Sequence, residues 1–142
     1  MVTVYDVDGR KLVNKAAQAF EEEKKLQPPE WSKFVKSGVC AERLPEQENW
    51  WFLRGAAILR KIYMKGPIGA RELRRQFGKK KNRGSRPDKV YPSSGSVTRK
   101  LLQQLERAGF IAKYERNKRS LGRVVSPKGQ KFLDLMSKQV GE

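Results

Sequence analysis

The sequence predicts a mainly α-helical fold, a winged helix-turn-helix core with a small β-hairpin wing and additional N-terminal helices. Apolar residues recur at steps of three and four along most of the 142 residues. Only between Phe110 and Ser126 does the pattern change, to two short runs rich in β-branched and aromatic side chains. The order over the second half, three helices, a hairpin and a closing helix, is that of a winged helix.

The first helix is expected from near Asp8 to about Lys25, with Leu12, Val13, Ala16, Ala17 and Phe20 on its apolar face. Pro28-Pro29 ends whatever remains. Glu30 to Ser37 reads as a short helix with Trp31, Phe34 and Val35 docked inward, followed by a connector to Pro45 that holds Cys40. Gln47 to Lys65 is the expected spine, apolar over well over a third of its circumference, with Trp50 and Trp51 as core. Arg54, Lys61 and Lys65 fall within about 40° of each other on its wheel as one basic stripe, whereas Arg60 lies among apolar positions.

A short helix, Ala70 to Phe77, comes next, and Ser94-Gly95-Ser96 caps a helix from about Ser96 to Ala108. Its polar arc carries Arg99, Lys100, Gln103 and Arg107, and Gly109 stops it. Phe110–Glu115 and Gly122–Ser126 read as paired strands, with Arg116, Lys118 and Arg119 in the link between them. Ser126-Pro127 opens the last helix. No linker is long enough to divide the chain. It is expected to be a single domain over 1–142, a helical buttress at 1–45 supporting a winged-helix core at 46–142.

Charge is segregated. Residues 1–53 carry eight basic and nine acidic side chains, residues 54–131 twenty-three and four, out of a net +17. A solubilising surface would mix signs; a one-sided surplus points to a polyanion, most often nucleic acid. The densest part is Arg71 to Lys89. Its second half, Gly78 to Pro87, has three backbone breakers and no large apolar side chain, so residues 78–93 are expected to be an exposed basic loop, mobile until RNA orders it. Tyr91 at its end suits either base stacking or packing.

The chain has no His and one Cys, which removes His-based triads, His metal ligands, disulfides within the chain and Cys-rich zinc sites. No metal or cofactor is implied. No apolar stretch is long enough to span a membrane, and the amino end lacks the shape of a signal peptide. An RNA-processing enzyme would need clustered carboxylates, but Glu72, Asp88, Glu106 and Glu115 are scattered. A regulator of duplex DNA would join its second and third helices by three or four residues. The long basic segment here suits the irregular grooves of folded RNA better.

Several segments, taken in order and spacing, resemble the small-subunit ribosomal protein family nineteen-e of archaea and eukaryotes. They are Pro28-Pro29-Glu30-Trp31, Leu44-Pro45-Glu46-Gln47-Glu48-Asn49-Trp50-Trp51, Arg60-Lys61-Ile62-Tyr63, Lys81-Asn82-Arg83-Gly84, Gly95-Ser96-Val97-Thr98-Arg99-Lys100, Leu102-Gln103-Gln104-Leu105-Glu106 and Ser126-Pro127-Lys128-Gly129. The likeness covers essentially the whole length and is closer to archaeal members. It implies a non-enzymatic constituent of the small-subunit head. Such a protein binds the 3′ domain of small-subunit rRNA beside neighbouring head proteins, supports subunit maturation and resides in the cytoplasm. Outside the ribosome it is expected to be a monomer, since no apolar helix is left over to pair. The family's functional arginines carry over onto Arg54 and Arg60, and its basic pair onto Arg99 and Lys100. The chain departs from the family in a longer wing tip, Lys118 to Leu121, and in Lys79, Lys80 and Lys81 where the family is richer in glycine. With the readings above, the expected RNA-binding set is Arg54, Arg60, Lys61, Lys79, Lys80, Lys81, Arg83, Arg86, Lys89, Arg99, Lys100, Arg116, Lys118, Arg119 and Arg123.

Overall fold

Asp8 opens the first helix: its carboxylate accepts the Arg10 N–H at 3.3 Å, and α1 runs Gly9–Glu22. In this computed structural model, which describes residues 2–142, α1 is followed by a single 3-10 turn, Glu30–Lys33. The further helices are α2 (Trp50–Lys65), α3 (Ala70–Gln76), α4 (Gly95–Arg107) and α5 (Pro127–Gly141). Two antiparallel hairpins interrupt them, β1 (Lys79–Arg83) with β2 (Arg86–Tyr91), and β3 (Ile111–Arg116) with β4 (Arg119–Val125). The fold is mainly α with two small hairpins.

One contiguous apolar cluster runs from Val4 through α1, α2, α4 and β3 to Met136 of α5. Leu12, Phe20, Ile58, Leu59, Leu101, Leu105 and Leu133 have no exposed surface. Each stabilises the fold by roughly 1.5–3 kcal/mol through removal from water. Phe20, Phe110 and Phe132 meet with ring centroids 5.0–5.5 Å apart, locking α1, the start of β3 and α5 together. Trp51 Nε1 donates to Gln104 Oε1 at 3.0 Å, and the Gln104 amide donates to the Gln27 carbonyl at 2.7 Å. That one side chain ties α2, α4 and the amino-terminal segment, satisfying the indole N–H where it would otherwise be buried unpaired.

The capping expected of the later helices is present. Ser94 Oγ accepts the Val97 N–H and Ser126 Oγ the Gly129 N–H. Gly109 follows α4 with φ +83°, the left-handed turn that glycine adopts without strain. At Gly122, φ is +106°, and a Cβ there would meet the Ile68 carbonyl. That missing side chain lets Ile68 and Arg123 exchange backbone hydrogen bonds at 3.2 and 3.0 Å, seating β4 on the segment before α3.

Four expectations fail. Residues 78–93 are not a mobile loop: β1 and β2 pair from Lys79↔Tyr91 to Arg83↔Arg86, across a two-residue turn led by Gly84 at φ +76°. The link of the second hairpin is shorter than expected, because the strands extend to Arg116↔Arg119 and leave only Asn117 and Lys118, both at positive φ, in the turn. The spine helix begins at Trp50 rather than Gln47. Phe34 does not dock inward but is 79 % exposed, and Trp31 covers Trp51 edge-on at 5.7 Å while remaining 37 % exposed. The 3-10 turn ends before Phe34, so no helical face carries that ring back to the body.

Candidate nucleic-acid interface

The expected binding residues fall into two groups. Lys79, Lys80, Arg86 and Lys89 on the first hairpin, Arg99 on α4, and Arg116, Lys118 and Arg119 at the tip of the second are exposed. Lys81, Arg83 and Lys100 are half-buried. Neither face of β1–β2 touches the core, so its stability rests on the strand ladder, on the turn and on its base. Asn82 Oδ1 accepts the Gly84 N–H at 2.9 Å, and Arg83 Nε donates to the Pro87 carbonyl at 2.9 Å. At the base, the Ser93 N–H donates to the Arg74 carbonyl at 3.0 Å, Arg74 Nε donates to the Ser93 carbonyl at 3.1 Å, and Gly38 bridges Ser93. The hairpin is thereby fixed to α3 and to the amino-terminal connector.

Its charges oppose its own pairing. Lys81 stands directly across from Lys89, and Arg83 from Arg86, and Asp88 on β2 is the one acid among these strands. Like charges in such positions repel. The two lysines lie with Nζ 5.8 and 5.5 Å from the Tyr91 ring centroid, which offsets part of that cost. A polyanion laid along this hairpin would remove the repulsion.

The second group packs inward. The Arg54 guanidinium lies 4.5 Å from the Phe77 centroid and Lys61 Nζ 5.4 Å from it, so the expected stripe is partly a packing device joining α2 to the end of α3. Burial lowers the Arg54 pKa, with Cys40 acting weakly the other way. Burial also lowers that of Lys61, and Lys65 and Arg60 add to the effect. Arg60 packs against the start of α1: a Cβ at Gly9 would come within 2.7 Å of its guanidinium. Its Nε is buried without an acceptor. Arg123 is half-buried, with Nε 3.2 Å from Glu106 Oε2. That pair clamps β4 to α4.

Ion pairs hold few of the cations. Among the described residues, Arg75 with Glu72 and Arg123 with Glu106 are the only pairs in residues 54–131. The rest of that positive charge is uncompensated and concentrated on the first hairpin, α4 and the second hairpin. Arg74 was not singled out from the sequence, though it sits in the densest basic run; its role depends on the fold bringing Ser93 and Gly95 to it.

An unpaired cationic surface on a small helical body with two projecting hairpins marks the class of small basic proteins whose surface suits a polyanion. Comparison with known proteins narrows the class. The profile of the family described as Ribosomal protein S19e matches residues 3–142. A small ribosomal subunit protein of Aeropyrum pernix is 38 % identical over 100 % of this chain and 92 % of its own length. Its counterpart from Thermoplasma volcanium is 39 % identical over 99 % and 90 %. The one from the fungus Emericella nidulans is 38 % identical over 96 % and 90 %. The chain belongs to the ribosomal protein S19e family, a family of ribosomal proteins rather than enzymes.

Proposed function

We propose that this protein is a structural, rRNA-binding constituent of the cytoplasmic small ribosomal subunit. In this reading α2, α3, α4 and the β3–β4 hairpin form a winged helix, supported by α1 and the amino-terminal segment. The first hairpin, the exposed arc of α4 and the tip of the second hairpin bind small-subunit rRNA in the 3′ domain, next to other head proteins, and this binding supports subunit assembly. Outside the particle the chain is monomeric. The single observation that supports the reading best is the concentration of unpaired cations on those three elements.

Affinity then comes mostly from phosphate neutralisation and counterion release. The exposed set Lys79, Lys80, Arg86, Lys89, Arg99, Arg116, Lys118 and Arg119 supplies most of it, with Lys81, Arg83 and Lys100 closer to the body. Arg54, Lys61, Arg60 and Arg123 add positive potential while holding α1, α2, α3 and β4 in place. A duplex-DNA regulator is the competing reading, and the hairpin at 79–91 disfavours it, since it occupies the place of the short turn such units have.

Sucrose-gradient fractionation of native lysate tests this at low and at about 0.5 M salt, where exposed ion pairs are strongly screened. Co-migration with the small subunit at both is the expected result. Recovery in free fractions or on chromosomal DNA would overturn it.

A further inference from the structure

We propose that a pocket at the amino end of α4 receives one unpaired nucleotide of the bound RNA. Its phosphate lies between Arg74, Arg99 and the helix start, and its base on an apolar shelf formed by Phe34 and Tyr91. This rests on the RNA-binding reading and adds a specific subsite to it.

Several independent features meet there. A Cβ placed on Gly95 would lie 3.0 Å from Arg99 Nη1 and 3.2 Å from Arg74 Nε, so two guanidinium groups approach one point at the first residue of α4. Neither arginine has a carboxylate partner among the described residues. Two cations held together at the positive end of a thirteen-residue helix form an uncompensated anion trap. The Gly95 and Ser96 N–H groups, at the first two helical positions, have no acceptor within the helix.

Ser93 points to a ligand by a different route. It is only 2 % exposed, it lines this pocket, and its Oγ has no hydrogen-bond partner. An unsatisfied buried hydroxyl is costly and uncommon, and a phosphate oxygen would satisfy it.

The pocket is about 650 Å³ in volume, sufficient for a nucleotide. Its far wall is apolar: Phe34, Val39 and the Tyr91-Pro92 pair. Phe34 is 79 % exposed and Val39 54 %, an unusual investment of apolar surface beside arginines. Aromatic rings next to a phosphate site are how proteins hold unstacked bases.

The test uses the full chain, isotope-labelled for amide NMR, titrated with a single-stranded oligoadenylate hexamer. Inorganic phosphate, an abasic hexamer and a polyglutamate peptide serve as comparisons. Saturable shifts of the Gly95 and Ser96 amides with the intact hexamer are expected, and weaker ones with phosphate. Phe34→Ala should weaken hexamer binding by about 5- to 100-fold. Gly95→Asp should place a carboxylate of the chain's own between the two arginines, abolish the response and leave the melting temperature unchanged or raised. Equal affinity for intact and abasic hexamers, or the same shifts from polyglutamate, would overturn the proposal. So would unshifted Gly95 and Ser96 amides in a chain that still binds an rRNA 3′-domain transcript. Failure of the wild-type chain to bind that transcript would instead overturn the RNA-binding reading itself.

Discussion

Replacing Lys80, Lys81 and Lys89 together by Gln separates the binding role of the first hairpin from its structural one. The three belong to strands without a buried face, so little packing is lost. Two weak contacts to the Tyr91 ring disappear, at about 0.5 kcal/mol each for exposed cations. Relief of the direct Lys81↔Lys89 opposition returns roughly 0.2–1 kcal/mol. The net change in stability should therefore be a loss of no more than about 0.8 kcal/mol.

Binding behaves differently. If each lysine neutralises one phosphate, the plot of log K against log salt loses about 0.7–0.9 in slope per residue, or about 2–2.7 in all. At 0.15 M salt this corresponds to about a 50- to 150-fold weaker complex. Fluorescence anisotropy of a labelled rRNA 3′-domain transcript, measured over about 50–300 mM potassium chloride, reads both quantities. An unchanged slope would remove the hairpin from the interface. A lost fold would show that the hairpin's charges are needed for structure instead.

Four further outcomes are expected. Arg99→Glu with Lys100→Glu should abolish incorporation into small subunits while the circular dichroism melt stays nearly unchanged, since Arg99 is exposed and Lys100 only half-buried; a large drop in melting temperature would assign them to packing. Gly122→Ala sets a Cβ against the Ile68 backbone at φ +106°. It should cost at least about 2 kcal/mol in urea denaturation, and a cost below about 0.5 kcal/mol would mean that β4 is not seated there. Leu105→Ala, at a site with no exposed surface, should cost about 2–5 kcal/mol, and a surface-like change would contradict the core assignment. The Tyr63 hydroxyl donates to Asp134 at 2.9 Å, and burial first, then that carboxylate, raise its pKa above the ordinary 10.0. Its stabilising effect is then complete below about pH 10 and fades as the pH rises through the folded value. Tyr63→Phe should flatten the alkaline decline in stability, and an identical alkaline limb in both proteins would remove Tyr63 as a cause.

The helices were legible from their periodic apolar faces, joined at α1, α4 and α5 by a capping side chain. Ser94 with Val97, Leu101 and Leu105, ended by Gly109, states α4 almost completely, and Ser126-Pro127 does the same for α5. The first hairpin was not legible, because Lys79 to Tyr91 has no buried side to impose alternation. What holds it is a glycine turn and a long-range clamp of Arg74, Ser93 and Gly38, and neither leaves a local periodic signal. The second tip was misjudged for a related reason: Asn117 and Lys118 make a two-residue turn, and a lysine at positive φ carries no compositional cue. Charge segregation located the candidate interface on the chain. It could not tell Lys80, exposed on a strand, from Arg54, folded over Phe77. Nor could it join Phe34 to Gly95, which meet only because Ser37 accepts the Ser94 N–H at 2.8 Å and holds the two segments together.

Lysine acylation footprinting, comparing the free protein with the same protein in purified small subunits, decides whether the two hairpins face RNA. Protection of Lys79, Lys80, Lys89 and Lys118 is expected, with Lys11, Lys15 and Lys24 on and after α1 still reactive. Protection confined to the α1 lysines, with the hairpin lysines as reactive as in the free chain, would contradict this expectation.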